Sequence, residues 1–145
     1  MPELPFAEDV NYWQTGHSSP DVWLARATTQ IEAAEGVVLT EAFGRDSTGR
    51  AAYMLAFQIG PDRFKAVWPV LPTKKGGNDL AARVQAATLL YHDVKARCMT
   101  AKVLGTRAAF FTYLMLPDGR SATEVAAPEL IAAMPKMLMS TKEES

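Results

Sequence analysis

Seven apolar residues, Leu80, Val84, Ala87, Tyr91, Val94, Cys98 and Ala101, follow one another at spacings of four, three, four, three, four and three. That rhythm returns to one side of an α-helix, so the stretch from Asn78 or Asp79 to about Leu104 is predicted as one long helix with a continuous apolar stripe. Asn78 or Asp79 caps its start and Gly105 ends it. Such a stripe has to be buried against a second layer.

The chain before it supplies that layer. Val37 to Phe43 is rich in β-formers, and Gly44 to Gly49 is a turn-rich loop. Ala51 to Ile59 alternates, with Tyr53, Leu55, Phe57 and Ile59 on one face. Gly60-Pro61-Asp62 is a tight turn, and Arg63 to Val70 alternates again: Phe64, Ala66 and Trp68 face one way, Arg63, Lys65 and Val67 the other. Period-two patterning broken by short turns predicts an antiparallel meander.

Ahead of the strands, Ser19 is placed to cap a helix, Pro20 suits its first position and Asp21 favours its positive end. Trp23, Leu24, Ala27, Ile31 and Ala34 recur at helical spacing, and Gly36 stops the helix. The expected fold class is α+β: a three-stranded antiparallel meander packed on a long helix, in the order α-β-β-β-α. The open face of the sheet is covered by the first helix or left for a ligand. Residues 1–18 read as an irregular arm anchored by Phe6, Tyr12 and Trp13, residues 19–134 as one domain, and 135–145 as a flexible acidic tail. A short helix is expected from Pro128 to Met134.

At 145 residues the chain is long enough for one domain with a real core. No apolar run approaches the roughly 20 residues that span a bilayer. The start, Met1-Pro2-Glu3-Leu4-Pro5, lacks the basic and apolar regions of a signal peptide. Cys98 is the single cysteine, so no internal disulfide is possible, and a cytoplasmic location with no membrane partner is expected.

Charge is segregated. Between Gly44 and Arg107 lie eleven of the fifteen basic residues and four of the sixteen acidic ones, a net +7 against −8 elsewhere, which makes up the total of −1. Clustered Lys and Arg point to a phosphate-bearing partner, because neutralising phosphates releases condensed counterions. The bland alternative is a set of solvated helix and strand faces.

Catalytic chemistry finds little support. His17 sits in a Gly/Ser loop and His92 in mid-helix; two His and one Cys give no zinc spacing. Cys98 lies on the apolar stripe, where a buried hydrophobe is the simpler reading. In Tyr91-His92-Asp93 the neighbours point about 100° apart, which makes His92 a surface or edge residue. Asp62 and Lys65 superficially suggest a nuclease strand, but the strands offer only Asp62 and Glu41 where a metal-dependent nuclease needs converging carboxylates. Lys74-Lys75-Gly76-Gly77 has no Walker pattern. No catalytic residue, metal or cofactor is therefore assigned.

Three basic groups are placed to meet phosphates. Arg45 and Arg50 flank the first hairpin loop; Arg63 and Lys65 project from one face of the third strand; Lys74 and Lys75, with Asn78, precede the long helix, whose free N–H groups favour anions. Arg83 and Arg97 stand four residues after Asp79 and Asp93, so ion pairs on the helix surface discount them. Lys74 and Lys75 have no acidic sequence neighbour before Asp79. Among the interleaved aromatics, Tyr53, Phe57 and Phe64 are expected in the core, while Trp68, at a strand end beside Pro69, is a candidate for stacking on bases.

The meander, the helix reading Ala82-Arg83-Val84-Gln85-Ala86-Ala87-Thr88-Leu89-Leu90-Tyr91-His92-Asp93-Val94-Lys95-Ala96-Arg97, then Leu104-Gly105 and an aromatic segment, resemble the core of the single-strand annealing proteins of the phage Erf and Redβ/RecT type and their eukaryotic relatives. The resemblance spans about residues 36–116 and is a pattern rather than a signature. It implies ATP-independent annealing of complementary strands by an oligomer, with single-stranded DNA held by its backbone in a basic groove. The order α-β-β-β-α with Lys74-Lys75 before the last helix is also similar to double-stranded RNA-binding domains, whose Lys-Lys-x-x-Lys cluster clamps phosphates; here the third position is Asn78. A third reading is a small interaction protein whose basic segment docks an acidic partner.

Overall fold

Helix α1, Pro20–Ala33, opens the ordered framework of the computed structural model, which describes residues 4–16, 18–45 and 49–122. The expected helix at Pro128–Met134, the tail at 135–145 and His17 lie outside the described residues. Pro20 holds the first helical position and Ser19 the cap position, where its backbone carbonyl accepts from Val22 and Trp23; its hydroxyl makes no cap bond. Leu24, Ala27 and Ile31 are buried, with Trp23 and Ala34 packed at the margin. The helix ends through Glu35 in the left-handed region (φ 66°), and the Gly36 N–H closes back on the Ile31 carbonyl at 2.9 Å. Gly36 is required for a second reason: a Cβ there would lie 2.7 Å from Ile31 Cγ2 and 2.8 Å from Ile59 Cγ1.

The meander follows as predicted, as a three-stranded antiparallel sheet in the order β1-β2-β3: β1 Val37–Arg45, β2 Ala51–Ile59 and β3 Asp62–Pro69. Ile59 pairs with Asp62 across Gly60-Pro61, and Gly60 takes φ 60° at the first turn position, as a II′ hairpin asks. Tyr53, Leu55, Phe57, Phe64 and Ala66 form the buried face. β1 is different. It runs along the sheet edge with a bulge between Val38 and Thr40, and most of its residues are exposed.

Helix α2, Asp79–Leu104, is the long helix, capped by Asn78, whose side chain accepts from the Ala81 N–H. The stripe expected on it is only part of its buried surface. Leu80 is 64% exposed, while Ala82, Gln85, Ala86, Thr88 and Leu90 are buried with Ala87, Val94 and Cys98. The arc is wide because α2 meets α1, the sheet and the N-terminal arm at once; Leu80, in its first turn, lies ahead of these contacts. Trp23 packs on Tyr91 with ring centroids 5.3 Å apart, and the Cys98 thiol donates to the Gln30 carbonyl at 3.7 Å. Both helices advance seven residues between those two contacts, so α1 and α2 run parallel. They join the same core against the same sheet face, so neither α1 nor α2 covers the other one.

After Gly105 (φ 93°) a single turn, α3 (Thr106–Ala109), carries Phe110 into the core, where its ring meets Phe57 at 5.3 Å and Phe64 at 5.5 Å. Leu114 then bridges Phe64, and Met115 donates to the Arg63 carbonyl, so 114–115 occupies the outer edge of β3. The arm is less irregular than expected. A 3₁₀ turn, Ala7–Asp9, packs Ala7 into the core, and Tyr12 stacks on His92 at 4.7 Å. Phe6 is half-exposed rather than an anchor. The arm is held instead by Gln85, fully buried on α2, whose amide donates to the carbonyls of Ala7, Val10 and Asn11 at 2.8–3.2 Å. No helix among the described residues is long and apolar enough to cross a membrane.

Candidate nucleic-acid interface

The six basic residues expected in one groove are divided between places. Arg45 ends β1 and Arg50 precedes β2; both line a shallow surface groove of ≈ 560 Å³ with Leu4, Phe6, Gly49, Ala51, Val70 and Pro72. Arg45 is oriented by its own loop, donating from Nη1 to the Gly49 carbonyl at 2.8 Å. The groove is thus lined by two arginines together with apolar residues of the arm and of the segment after β3. Val70 reaches it by continuing the β3 pairing, its N–H bonded to the Ala51 carbonyl.

Arg63 and Lys65 do not reach this groove. Strand alternation puts them opposite Phe64, on the sheet face away from α1 and α2. Lys65 Nζ donates to the Gly119 carbonyl at 3.3 Å. Trp68 pairs with Tyr53 on the helix-covered face and packs against the core while remaining half-buried.

Lys74 has acidic neighbours after all, brought from 65 residues away. Its ammonium meets Asp9 Oδ1 at 2.9 Å, and its backbone N–H donates to both oxygens of the Glu8 carboxylate at 3.0 and 3.2 Å. The Asp9 hydrogen bond holds the Lys74 ammonium above the ordinary lysine range. Lys75 is exposed in the same loop.

Arg83, discounted as a partner of Asp79, takes a different place. Its Nε donates to the Tyr53 hydroxyl at 3.0 Å and its guanidinium lies 4.3 Å from the centroid of the Phe43 ring. Phe43 packs on Tyr53 at 4.8 Å and remains 45% exposed. Burial pushes the Tyr53 phenol up from its ordinary value, against the Arg83 hydrogen bond, which lowers it. An exposed aromatic ring backed by a guanidinium, two residues before Arg45, extends the cationic and aromatic surface along β1. The clue available in advance was that Phe43, Arg45 and the Tyr53 face all lie on one side of the strand pair.

Arg97 and Arg107 tie parts of the fold together. Arg97 meets Asp93 at 2.8 Å, as the spacing predicted, and also donates to the Ala109 carbonyl at 3.0 Å; the Tyr113 hydroxyl donates to the same Asp93 oxygen. Arg107 pairs with Asp62 at 2.6 Å. Cys98 is buried, and burial raises its thiol pKa, which disfavours the thiolate. Among the described residues no cluster of three or more His, Cys, Asp or Glu side chains is placed to hold a metal ion. What the surface can do chemically is bind anions beside planar apolar groups.

No family model matches the chain, and no curated protein or solved structure is significantly similar to it.

Proposed function

We propose that the chain binds single-stranded DNA along the groove at the β1–β2 end of the sheet, and that this binding serves ATP-independent annealing of complementary strands in recombination. The observation that carries the reading is the convergence of Arg45 and Arg50 with Leu4, Phe6, Val70 and Pro72 on one groove. Cations neutralise phosphates, and the half-exposed Phe6 and Phe43 rings suit the faces of unpaired bases, mostly without sequence readout. A paired duplex hides those faces. We further propose that the protein acts in the cytoplasm, where an unpaired Cys98 is at home. We propose a homo-oligomer as well, since β1 presents an edge with Val37 and Leu39 exposed and only β2 beside it among the described residues.

The double-stranded RNA reading comes second. The order α-β-β-β-α favours it, but its phosphate clamp falls on Lys74, Lys75 and Asn78. Here the third clamp position is Asn78, an uncharged residue whose side chain caps α2.

Equilibrium binding to labelled single-stranded DNA, double-stranded DNA and double-stranded RNA across a salt series tests the proposal. Preference for the single strand, with affinity falling steeply as salt rises, supports it, as does pairing of complementary oligonucleotides without ATP. A double-stranded RNA preference promotes the second reading. No binding to any of the three at low salt removes both and leaves the docking of an acidic protein partner. Light scattering reads the oligomeric state.

A further inference from the structure

We infer that the loop between β3 and α2 is a phosphate-binding site that the chain's own arm occupies: Glu8 and Asp9 stand where a phosphodiester of bound nucleic acid would stand. This rests on the proposed function and adds a second contact point to it. The two carboxylates belong to consecutive residues and converge on one residue of the loop, Glu8 on the Lys74 N–H and Asp9 on the Lys74 ammonium. A backbone N–H and a lysine ammonium presented side by side form a donor set suited to a phosphate, which offers several oxygens at once. The loop is open around this point: Gly76 and Gly77 have positive φ, and nothing lies within 4 Å of a Cβ built at either.

The arm's anchors are separate from its carboxylates. The Ala7 N–H bonds to the Pro72 carbonyl at 2.8 Å, and Gln85 binds the carbonyls of Ala7, Val10 and Asn11. Glu8 and Asp9 can therefore swing off Lys74 while the arm stays docked. The Lys74–Asp9 pair is about half-exposed on both sides, and such pairs are weak and screened by salt. A polyanion displaces them readily. Pro72 lines the Arg45–Arg50 groove and stands two residues before Lys74, so the two sites are neighbours along this segment.

The test uses the full chain and a fluorescein-labelled oligothymidylate, with binding followed by anisotropy across a salt series. Replacing both carboxylates by their amides, E8Q with D9N, keeps shape and removes the competitor. The expected result is about fivefold tighter binding at the lowest salt, the ceiling set by the weakness of exposed pairs. The logarithmic salt slope steepens by about 0.7, one phosphate contact on a single strand. Adding K74A to that variant cancels both changes. Persistence of the gain without Lys74 would overturn the site, since the gain would then be a general charge effect. Wild type that binds while E8Q/D9N binds identically would overturn it too and leave the proposed function standing. If neither protein binds single-stranded DNA, double-stranded DNA or double-stranded RNA at low salt, the proposed function falls and the phosphate assignment falls with it. Thermal unfolding of each variant confirms that the fold is intact.

Discussion

Arg83 donates its Nε to the Tyr53 hydroxyl at 3.0 Å, which ties the second turn of α2 to the middle strand of the sheet. The same guanidinium covers the Phe43 ring on the edge strand. One side chain thus links α2, β2 and β1, and only a planar cation does both jobs. Arg83→Lys keeps the charge but cannot hold the bond and the ring contact together, so it should cost about 1 kcal/mol of stability and lower Tm by about 4 °C. Tyr53→Phe should cost a similar amount, and the two together less than their sum. A urea-melt double-mutant cycle reads the coupling; strict additivity would show that the bond contributes nothing.

Gln85 should be worth more than its single polar side chain suggests. Its buried amide is the donor to three arm carbonyls. Gln85→Leu fills the same space but strips those carbonyls of their partner, at about 1–3 kcal/mol. The loss should be local first. Amide exchange across residues 4–13 should rise well before that of Leu55 or Leu90 in the core. Uniform exchange changes throughout the chain would contradict the clamp.

Why the fold was legible and the site only partly so is visible in these residues. Tyr53, Leu55, Phe57 and Ile59 in 51–59, and Ala87, Val94 and Cys98 in the four-three rhythm, were legible because apolar side chains at those periods face the core; the burial of Ala52 and Ala56 on the other side of β2 follows no alternation. Contacts made by polar side chains carry no such periodicity. Lys74 meets Asp9 across 65 positions, and nothing local marks that meeting. Local rules misled for Arg83, where an i,i+4 carboxylate was available but a hydroxyl and a ring on the sheet were better placed. They succeeded for Arg97, whose i,i+4 partner Asp93 is also fixed by Tyr113. Strand parity did predict that Arg63 and Lys65 share a face; only the packing of both helices on the opposite face separated them from the groove.

Gly36 tests packing rather than charge. A Cβ there would press on Ile31 Cγ2 at 2.7 Å and Ile59 Cγ1 at 2.8 Å, in a junction where α1 turns into β1. Neither branched side chain can retreat without disturbing the core. Gly36→Ala should therefore destabilise by about 1–3 kcal/mol, read as a lower urea midpoint with an unchanged m-value. Gly44→Ala, where nothing lies within 4 Å of the added carbon, is the matched control and should be near neutral.

Alkaline pH should find Tyr113. Burial first, and the Asp93 carboxylate second, push its phenol far above the ordinary value of 10.0. Folded, it keeps its proton where the unfolded chain gives it up. Stability is then full below pH 10.0 and falls as pH climbs from there toward the folded value. Tyr113→Phe should flatten that alkaline limb. A tyrosine complement whose phenolate absorbance appears entirely at ordinary pH, with the fold intact, would exclude the buried phenol.

The division of the basic residues predicts unequal effects from equal charge removal. Arg45 and Arg50 share the groove, whereas Arg63 and Lys65 lie on the sheet face away from α1 and α2. Each double Ala variant removes two cations, so long-range attraction falls alike in both. Contact does not. Losing Arg45 and Arg50 should lower the logarithmic salt slope for an oligothymidylate by about 1.4, two phosphate contacts on a single strand, while losing Arg63 and Lys65 should leave the slope in place. Equal slopes in the two variants would place the strand elsewhere than the groove. A slope lost only with Arg63 and Lys65 would move the interface to the sheet face away from α1 and α2, where Lys65 is already held by the Gly119 carbonyl.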